Sequence, residues 1–243
     1  MIEKYRDLII IYEKDRAYVI SCDSLGAIGS KEHDVVKVDE EIVGRTTIKV
    51  ALAEALCLGA KPLVIADTLA VEMKPTGEKI ISAIEKELKE NGLEDVVLTG
   101  STEENFPSSM TGLGITVISR VNLSDLKIKK VKKGMHISLL GYPLVGDEVL
   151  KYPDYVLQLK DYVEISKSKE IIEAVPVGSK GIKYELGILE KLAGLKINAN
   201  IPSHINILKS GGPATSCIIV HEKKIPSITK IINKPLTYMG SFI

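Results

Sequence analysis

Apolar and polar positions along the chain follow two periods. Leu8–Tyr12 and Ala17–Cys22 are short apolar-rich runs separated by the charged stretch Glu13-Lys14-Asp15-Arg16, which predicts two strands and a turn. From Glu40 to Leu58 apolar residues recur at helical spacing. Asp39 stands where an N-cap belongs, Gly59 closes the segment and Pro62 follows, which predicts a helix. Leu63–Leu69 reads as a buried strand, Thr76–Glu90 as an amphipathic helix stopped by Asn91-Gly92, and Asp95–Leu98 and Gly112–Arg120 as strands. Residues 121–134 are polar, rich in lysine and lack a long apolar period, so a domain boundary is placed there. The second half predicts a strand at Met135–Leu140, short helices near Gly146–Leu150 and Ser168–Ala174, and a helix at Gly181–Leu192 closed by Gly194. Strands at Lys196–Ala199 and Thr215–Val220, a helix at about Ile225–Asn233 and a strand at Leu236–Gly240 complete it. Strands and helices mix without strict βαβ alternation. The predicted class is α+β, in two domains spanning 1–121 and 134–243.

Composition adds mostly exclusions. The 243 residues are 45% hydrophobic, enough for a substantial core. Thirty-two basic and 32 acidic residues balance, so no global field draws the chain to nucleic acid or to an anionic membrane. Two Phe and no Trp argue against a base-stacking surface for single strands. The lysines at 127, 129, 130, 132 and 133 read as a solvated linker. Cys22, Cys57 and Cys217 are far apart and odd in number, which suits a reducing compartment. Met1–Arg6 lacks the basic-then-apolar pattern of a leader, and no apolar run reaches the roughly 20 residues of a membrane span. The expectation is a cytoplasmic protein.

The stretch Thr99-Gly100-Ser101-Thr102-Glu103-Glu104-Asn105-Phe106-Pro107 packs glycine, hydroxyls and carboxylates between two predicted strands. Such a turn can bring oxygen ligands to Mg²⁺, which often takes one or two carboxylates beside phosphate. Taken alone, an ordinary polar hairpin connection explains the same residues. Glu54 lies among Thr47, Val50, Ala51 and Leu58 at helical spacing. A carboxylate in an apolar stripe is costly unless it is paired, ligated or reaches water at the stripe's edge. Asp67, inside Val64-Ile65-Ala66-Asp67-Thr68-Leu69, raises the same question.

Asp23 ends a predicted strand and opens the loop Ser24-Leu25-Gly26-Ala27-Ile28-Gly29-Ser30-Lys31. Glycine-rich backbone can approach phosphate closely and Lys31 can add charge, although a surface turn bearing a lysine has the same composition. The Walker A pattern and G-x-G-x-x-G are absent. Ser210-Gly211-Gly212 is a second place for close backbone approach, and Lys180 opens a helix whose N-terminus favours an anion. His33, His136, His204 and His221 show no metal-ligand spacing, and G-x-S-x-G is absent.

Taken in order, these segments resemble the PurM-like family of aminoimidazole ribonucleotide (AIR) synthetase, selenophosphate synthetase, hydrogenase maturation factor and thiamine-monophosphate kinase. Asp23-Ser24-Leu25-Gly26 with Lys31 resembles the family's Asp-Gly-Val-Gly-Thr-Lys, and Gly44 through Gly59-Ala60-Lys61-Pro62 resembles its long helix ending in Gly-Ala-x-Pro. Glu54 stands where the family has an aspartate. Thr99–Glu104 resembles Gly-Gly-Glu-Thr-Ala-Glu or Gly-Gly-Asp-Thr, Gly134–Gly141 the start of the second domain, and Ser210-Gly211-Gly212 its late Ser-Gly-Gly. There are departures. Ser101 replaces a carboxylate, which implies that metal binding shifts to Glu103 or Glu104. The acidic Gly-Asp-Asp loop before the first strands is missing, and Gly178-Ser179-Lys180-Gly181 stands where Ser-Asp-Gly-Leu is expected.

The resemblance implies a two-domain α+β architecture with a shortened C-terminal α/β domain, and a homodimer whose N-terminal domains pair their sheets. It also implies ATP-dependent chemistry, with Mg²⁺ held by Asp23, Glu54, Asp67 and Glu103 or Glu104. Lys31 and Arg45 would neutralise phosphate, while Gly26, Gly29, Gly100, Ser101, Thr102, Gly211 and Gly212 would line the nucleotide. Asp23, Lys31 and Glu104 would carry catalysis. The segments Cys22–Val38 and Thr99–Pro107 resemble the α-ribazole kinase branch, which implies phosphorylation of the 5′-hydroxyl of this nucleoside-like acceptor in salvage of the cobalamin lower base. A synthetase of the AIR or selenophosphate type and a non-catalytic nucleotide-binding protein are the other readings.

Overall fold

The computed structural model describes all 243 residues, which divide into two compact units. The first comprises residues 1–55 and 60–123, the second residues 56–59 and 124–243.

In the first unit, strands β1 (Ile2–Tyr5), β2 (Leu8–Glu13) and β3 (Arg16–Gly26) form an antiparallel meander. Two short strands, β4 (Ile28–Gly29) and β5 (Val36–Lys37), pair with each other in the following loop. Helix α1 (Glu40–Cys57) leads to β6 (Lys61–Leu69), a turn at Met73–Gly77, and α2 (Glu78–Glu90). Strands β7 (Val97–Thr102) and β8 (Gly112–Asn122) complete the sheet, in the order β1-β2-β3-β8-β6-β7. Within this sheet only β6 and β7 run parallel, joined through α2.

The two faces of this sheet differ because side chains alternate along each strand. The inner face packs on α1, where the Ser21 hydroxyl donates to the Ala51 carbonyl at 2.7 Å. Gly44 of α1 lets α2 approach closely: a Cβ there would lie 2.6 Å from the Ile80 carbonyl oxygen. The outer face carries an apolar row across five strands in register, Ile9, Ile20, Ile118, Val64 and Val97. Val97 is 61% exposed and Ile118 37%.

In the second unit, β9 (His136–Gly141), β10 (Ile171–Pro176), β11 (Ile197–Ala199), β12 (Ser216–His221) and β13 (Leu236–Phe242) form an antiparallel sheet in the order β10-β12-β9-β13-β11. Helices α3 (Asp147–Lys151), α4 (Leu159–Lys167) and α5 (Gly181–Ala193) flank it. Ile182, Leu186 and Leu189 of α5 meet Ile137, Leu139, Ile218, Val220 and Phe242 in one core. Central strand β12 is buried at every position, which is why it reads as a continuous apolar run rather than an alternating one.

The α+β class stands, and four local expectations change. Ser168–Ala174 is not a helix: α4 ends at Lys167, and Ile171–Pro176 is a strand held by pairing with β12. Ile225–Asn233 contracts to a single 3₁₀ turn at Ser227–Lys230, its N-terminal boundary set at Pro226. Strand β1 was not expected, its run being short and half charged. Thr99–Thr102 is no hairpin turn, since it belongs to β7 and pairs in parallel with Ala66–Leu69.

Candidate functional site

The candidate residues of the first unit gather at one end of its sheet. The loop after β3 is fixed there by Asp34, which is buried and accepts three hydrogen bonds: from the Lys31 N–H (2.9 Å), the Thr111 N–H (2.7 Å) and the Thr111 hydroxyl (2.7 Å). Ala27 and His33 tie the same loop to Thr111 and Ser109 through their N–H groups. Gly29 is required by this packing, because a Cβ would sit 2.4 Å from Thr111 Oγ1 and 2.7 Å from Asp34 Oδ2. Gly26, by contrast, has open space beside it.

Lys31 is brought inward and pairs with Glu72 at 2.6 Å. Burial disfavours the Glu72 charge, but hydrogen bonds from Lys31, Thr76 and its own backbone outweigh it and hold the carboxyl below its ordinary value. Glu104 accepts the Met73 N–H (2.7 Å) and the Thr102 hydroxyl (2.8 Å). Glu103 accepts the N–H groups of Asn105 (2.7 Å) and Phe106 (3.3 Å), closing its own turn.

Strand register aligns the most informative group. Asp23 of β3 faces Ile115 of β8, Ile115 faces Asp67 of β6, and Asp67 faces Gly100 of β7. All four belong to the inner face, and the backbones of the two aspartates are roughly 10 Å apart, two strand spacings. Asp67 is 3% exposed, and its Oδ1 is buried without a hydrogen-bond partner. Its carboxylate lies over Gly100, where a Cβ would come within 2.1 Å of Oδ1. Burial raises the Asp67 pKa. The Asp23 pKa is pushed up to about 6, chiefly by burial, with the Glu54 charge adding to it and the Ser24 backbone hydrogen bond opposing. Glu54 is itself raised by burial, against the pull of Arg6, whose guanidinium donates to it at 2.8 Å.

A buried carboxylate oxygen without a donor, in a row with a second carboxylate, matches what a hard cation with phosphate requires. Asp67 and Asp23 fit that role. The larger ligand set expected from sequence is not assembled: no three acidic, His or Cys side chains are grouped to hold a metal. Glu54 is committed to Arg6, and Glu103 and Glu104 to backbone donors. Ser101 is exposed on the outer face beside Thr68, because alternation turns it away from Gly100. Thr102 is tied to Glu104. Arg45 is committed to Glu87 of α2, to which it donates at 2.6 Å.

Gly211 and Gly212 belong to the second unit. Gly211 is buried against Val177, with its N–H donated to the Gly178 carbonyl at 3.1 Å, and the Gly212 N–H donates to Ser210 Oγ at 3.2 Å. Neither N–H points to open space for a phosphate. Lys180 caps α5 and rests its ammonium 4.3 Å from the Tyr184 ring centre. Sequence reasoning missed Glu72, Thr111, Arg6 and the role of Asp34. Each acts through a partner more than 40 residues away in the chain or 77 in the case of Asp34 and Thr111, a pairing that local pattern does not carry.

Residues 6–121 match the family described as AIR synthase related protein, N-terminal domain. Thiamine-monophosphate kinase from Stenotrophomonas maltophilia K279a superposes with a TM-score of 0.67 at 16% identity, over 99% of this chain and 88% of that one. AaThiL complexed with AMPPCP and TMP gives 0.69 at 13% identity, over 97% and 84%. PurL of Thermotoga maritima complexed with AMPPCP gives 0.63 at 15%, over 96% of this chain and 42% of that one. Among curated proteins, Copper-transporting ATPase 1 of Mus musculus is 24% identical over 196 residues, and the chain spans 12% of its length. No helix here is long and apolar enough to cross a membrane. The chain thus has a PurM-like α+β fold, and its first unit matches the AIR synthase related N-terminal domain.

Proposed function

We propose that the protein is an ATP- and Mg²⁺-dependent small-molecule kinase that transfers the γ-phosphoryl group to an alcohol, with the 5′-hydroxyl of α-ribazole as acceptor. The observation that carries the reading is the orphaned carboxylate oxygen of Asp67 over Gly100, in register with Asp23. Structural relatives bound to an ATP analogue support a nucleotide at this fold. Asp67 and Asp23 would hold the cation, which would supply positive charge against that of the phosphates.

The chain's own residues do the rest. The Gly29 loop, locked by Asp34, holds a rigid stretch of backbone against the phosphates. Lys31, already oriented by Glu72, supplies positive charge at the transferring group. Asp23, raised only to about 6 in the metal-free chain, is ionised at neutral pH and so carries the charge a cation needs. In-line transfer then depends mainly on positioning. A second copy packed on the apolar outer row of the sheet completes the proposed assembly as a homodimer.

The test is incubation with ATP, Mg²⁺ and α-ribazole, read by mass spectrometry for a gain of one phosphoryl group on the nucleoside. Asp23→Asn should lower turnover at least roughly 100-fold. Free phosphate with an unphosphorylated, cyclised or amidated product would favour the synthetase reading. ATP binding without any turnover, unaffected by Asp23→Asn, would sink both.

A further inference from the structure

Cys57 and Cys217 are the buried cysteines of the chain, whereas Cys22 is exposed. Both fall within the second unit. Cys57 is the last residue of α1, and Cys217 sits in β12 between Leu140 of β9 and Pro176 of β10. Their side chains are fully excluded from solvent and their sulfurs are 3.8 Å apart, in direct contact, although 160 residues separate them in sequence. Two cysteines filling space as small apolar residues would need no charged neighbour. Here Lys127 lies within electrostatic reach of both sulfurs. Its ammonium is anchored by the carbonyls of Ile165 and Ser168, each at 2.7 Å. Burial brings the Lys127 pKa down to about 8, so a neutral amine able to take a thiol proton is accessible in mildly alkaline solution.

We propose that Cys57 and Cys217 are a redox pair that closes to a reversible disulfide on exposure to a peroxide. One thiol gives up its proton, with Lys127 as the acceptor at hand, and the thiolate attacks a peroxide oxygen. The O–O bond breaks, hydroxide leaves and a sulfenic acid forms. The second thiol displaces the sulfenic hydroxyl as water, forming the S–S bond. Overall, two thiols and one hydrogen peroxide give one disulfide and two waters. The sulfurs need to approach by only about 2 Å, since a disulfide bond is about 2.05 Å long. The product clips the end of α1 to β12 and closes a long loop, which restricts the unfolded chain strongly.

The test uses the full chain, reduced and then treated with hydrogen peroxide. Remaining thiols are alkylated in denaturant, and the digest is mapped by mass spectrometry. The expected result is a Cys57–Cys217 linked peptide pair lacking two hydrogens, restored to two alkylatable thiols by dithiothreitol, with a higher Tm for the oxidised form. Cys22→Ser should retain both effects. Free, alkylated Cys57 and Cys217 after Cys22 has been fully oxidised, or sulfinic acids or links to Cys22 in place of the 57–217 bond, would overturn the proposal. The mapping is done on the unaltered protein, so it does not depend on any cysteine variant folding.

Discussion

Asp23 illustrates how a single side chain sets stability and activity against each other. Its carboxyl titrates near 6 in the folded protein against 3.8 for the free group. Between those values the folded state holds more protons than the unfolded one, so stability falls as pH rises through that window. Asn cannot ionise. Asp23→Asn should therefore be more stable than the parent above about pH 6, by roughly 1–2 kcal/mol once its partial exposure is allowed for, and should match it below the unfolded pKa. Urea denaturation at pH 7.5 and at pH 3.5 checks this; equal midpoints at the higher pH would remove the destabilising charge. Activity should run the other way. A proton competes with the cation for Asp23, so kcat/KM at limiting Mg²⁺ should drop as pH falls through about 6, and a profile flat through that region would remove Asp23 from the cation site. None of this is visible in the local sequence, where Asp23 is one acidic residue at the end of an apolar strand.

At the level of elements, packing decides where propensity is silent. In isolation Gly44 weakens α1, since glycine is about 1 kcal/mol less favourable than alanine in a helix interior. In the fold, the Ile80 carbonyl of α2 stands where a Cβ would be. Gly44→Ala should thus destabilise the protein by about 1–3 kcal/mol despite the helical gain, measured as a lowered urea midpoint. A rise would mean that α2 can move aside freely. The same logic explains the elements misread from sequence. The strand at Ile171–Pro176 is defined by its partner β12, and β7 by its parallel pairing with β6, so neither carries its full signal within its own residues. By contrast, α2 was legible from periodicity because one of its faces is buried and the other is wet, and α1, buried over most of its length, was legible from its length and its end signals.

At the scale of the whole molecule, the outer face of the first sheet leaves Ile118 and Val97 exposed beside the partly buried Ile9, Ile20 and Val64. Ile9, Ile20, Ile118, Val64 and Val97 form a continuous apolar row that no helix of that unit covers. Exposed apolar rows on this scale favour association, and an isologous contact with a second copy buries the row twice. Ile118→Lys should convert the proposed dimer to a monomer in light scattering at micromolar concentration while leaving the fold intact by circular dichroism. A wild-type chain that is already monomeric would refute the pairing.

Short-range pattern was enough for the α+β class, for most element positions, and for marking Asp23, Asp67 and Lys31 as residues whose placement demanded an explanation. These are consequences of short-range rules: periodicity, caps, turn residues, and the cost of a carboxylate among apolar neighbours. Which of the candidates lie together is a property of the fold. Register put Asp23, Asp67 and Gly100 in one row and turned Ser101 to the opposite face. Long-range pairing gave Glu54 to Arg6, Lys31 to Glu72 and Arg45 to Glu87, and packing gave Gly211 to Val177. The reason is physical: charge neutralisation and close packing are satisfied by whichever partner the fold brings within a few ångströms, and sequence separation leaves no trace of that partner in the local pattern.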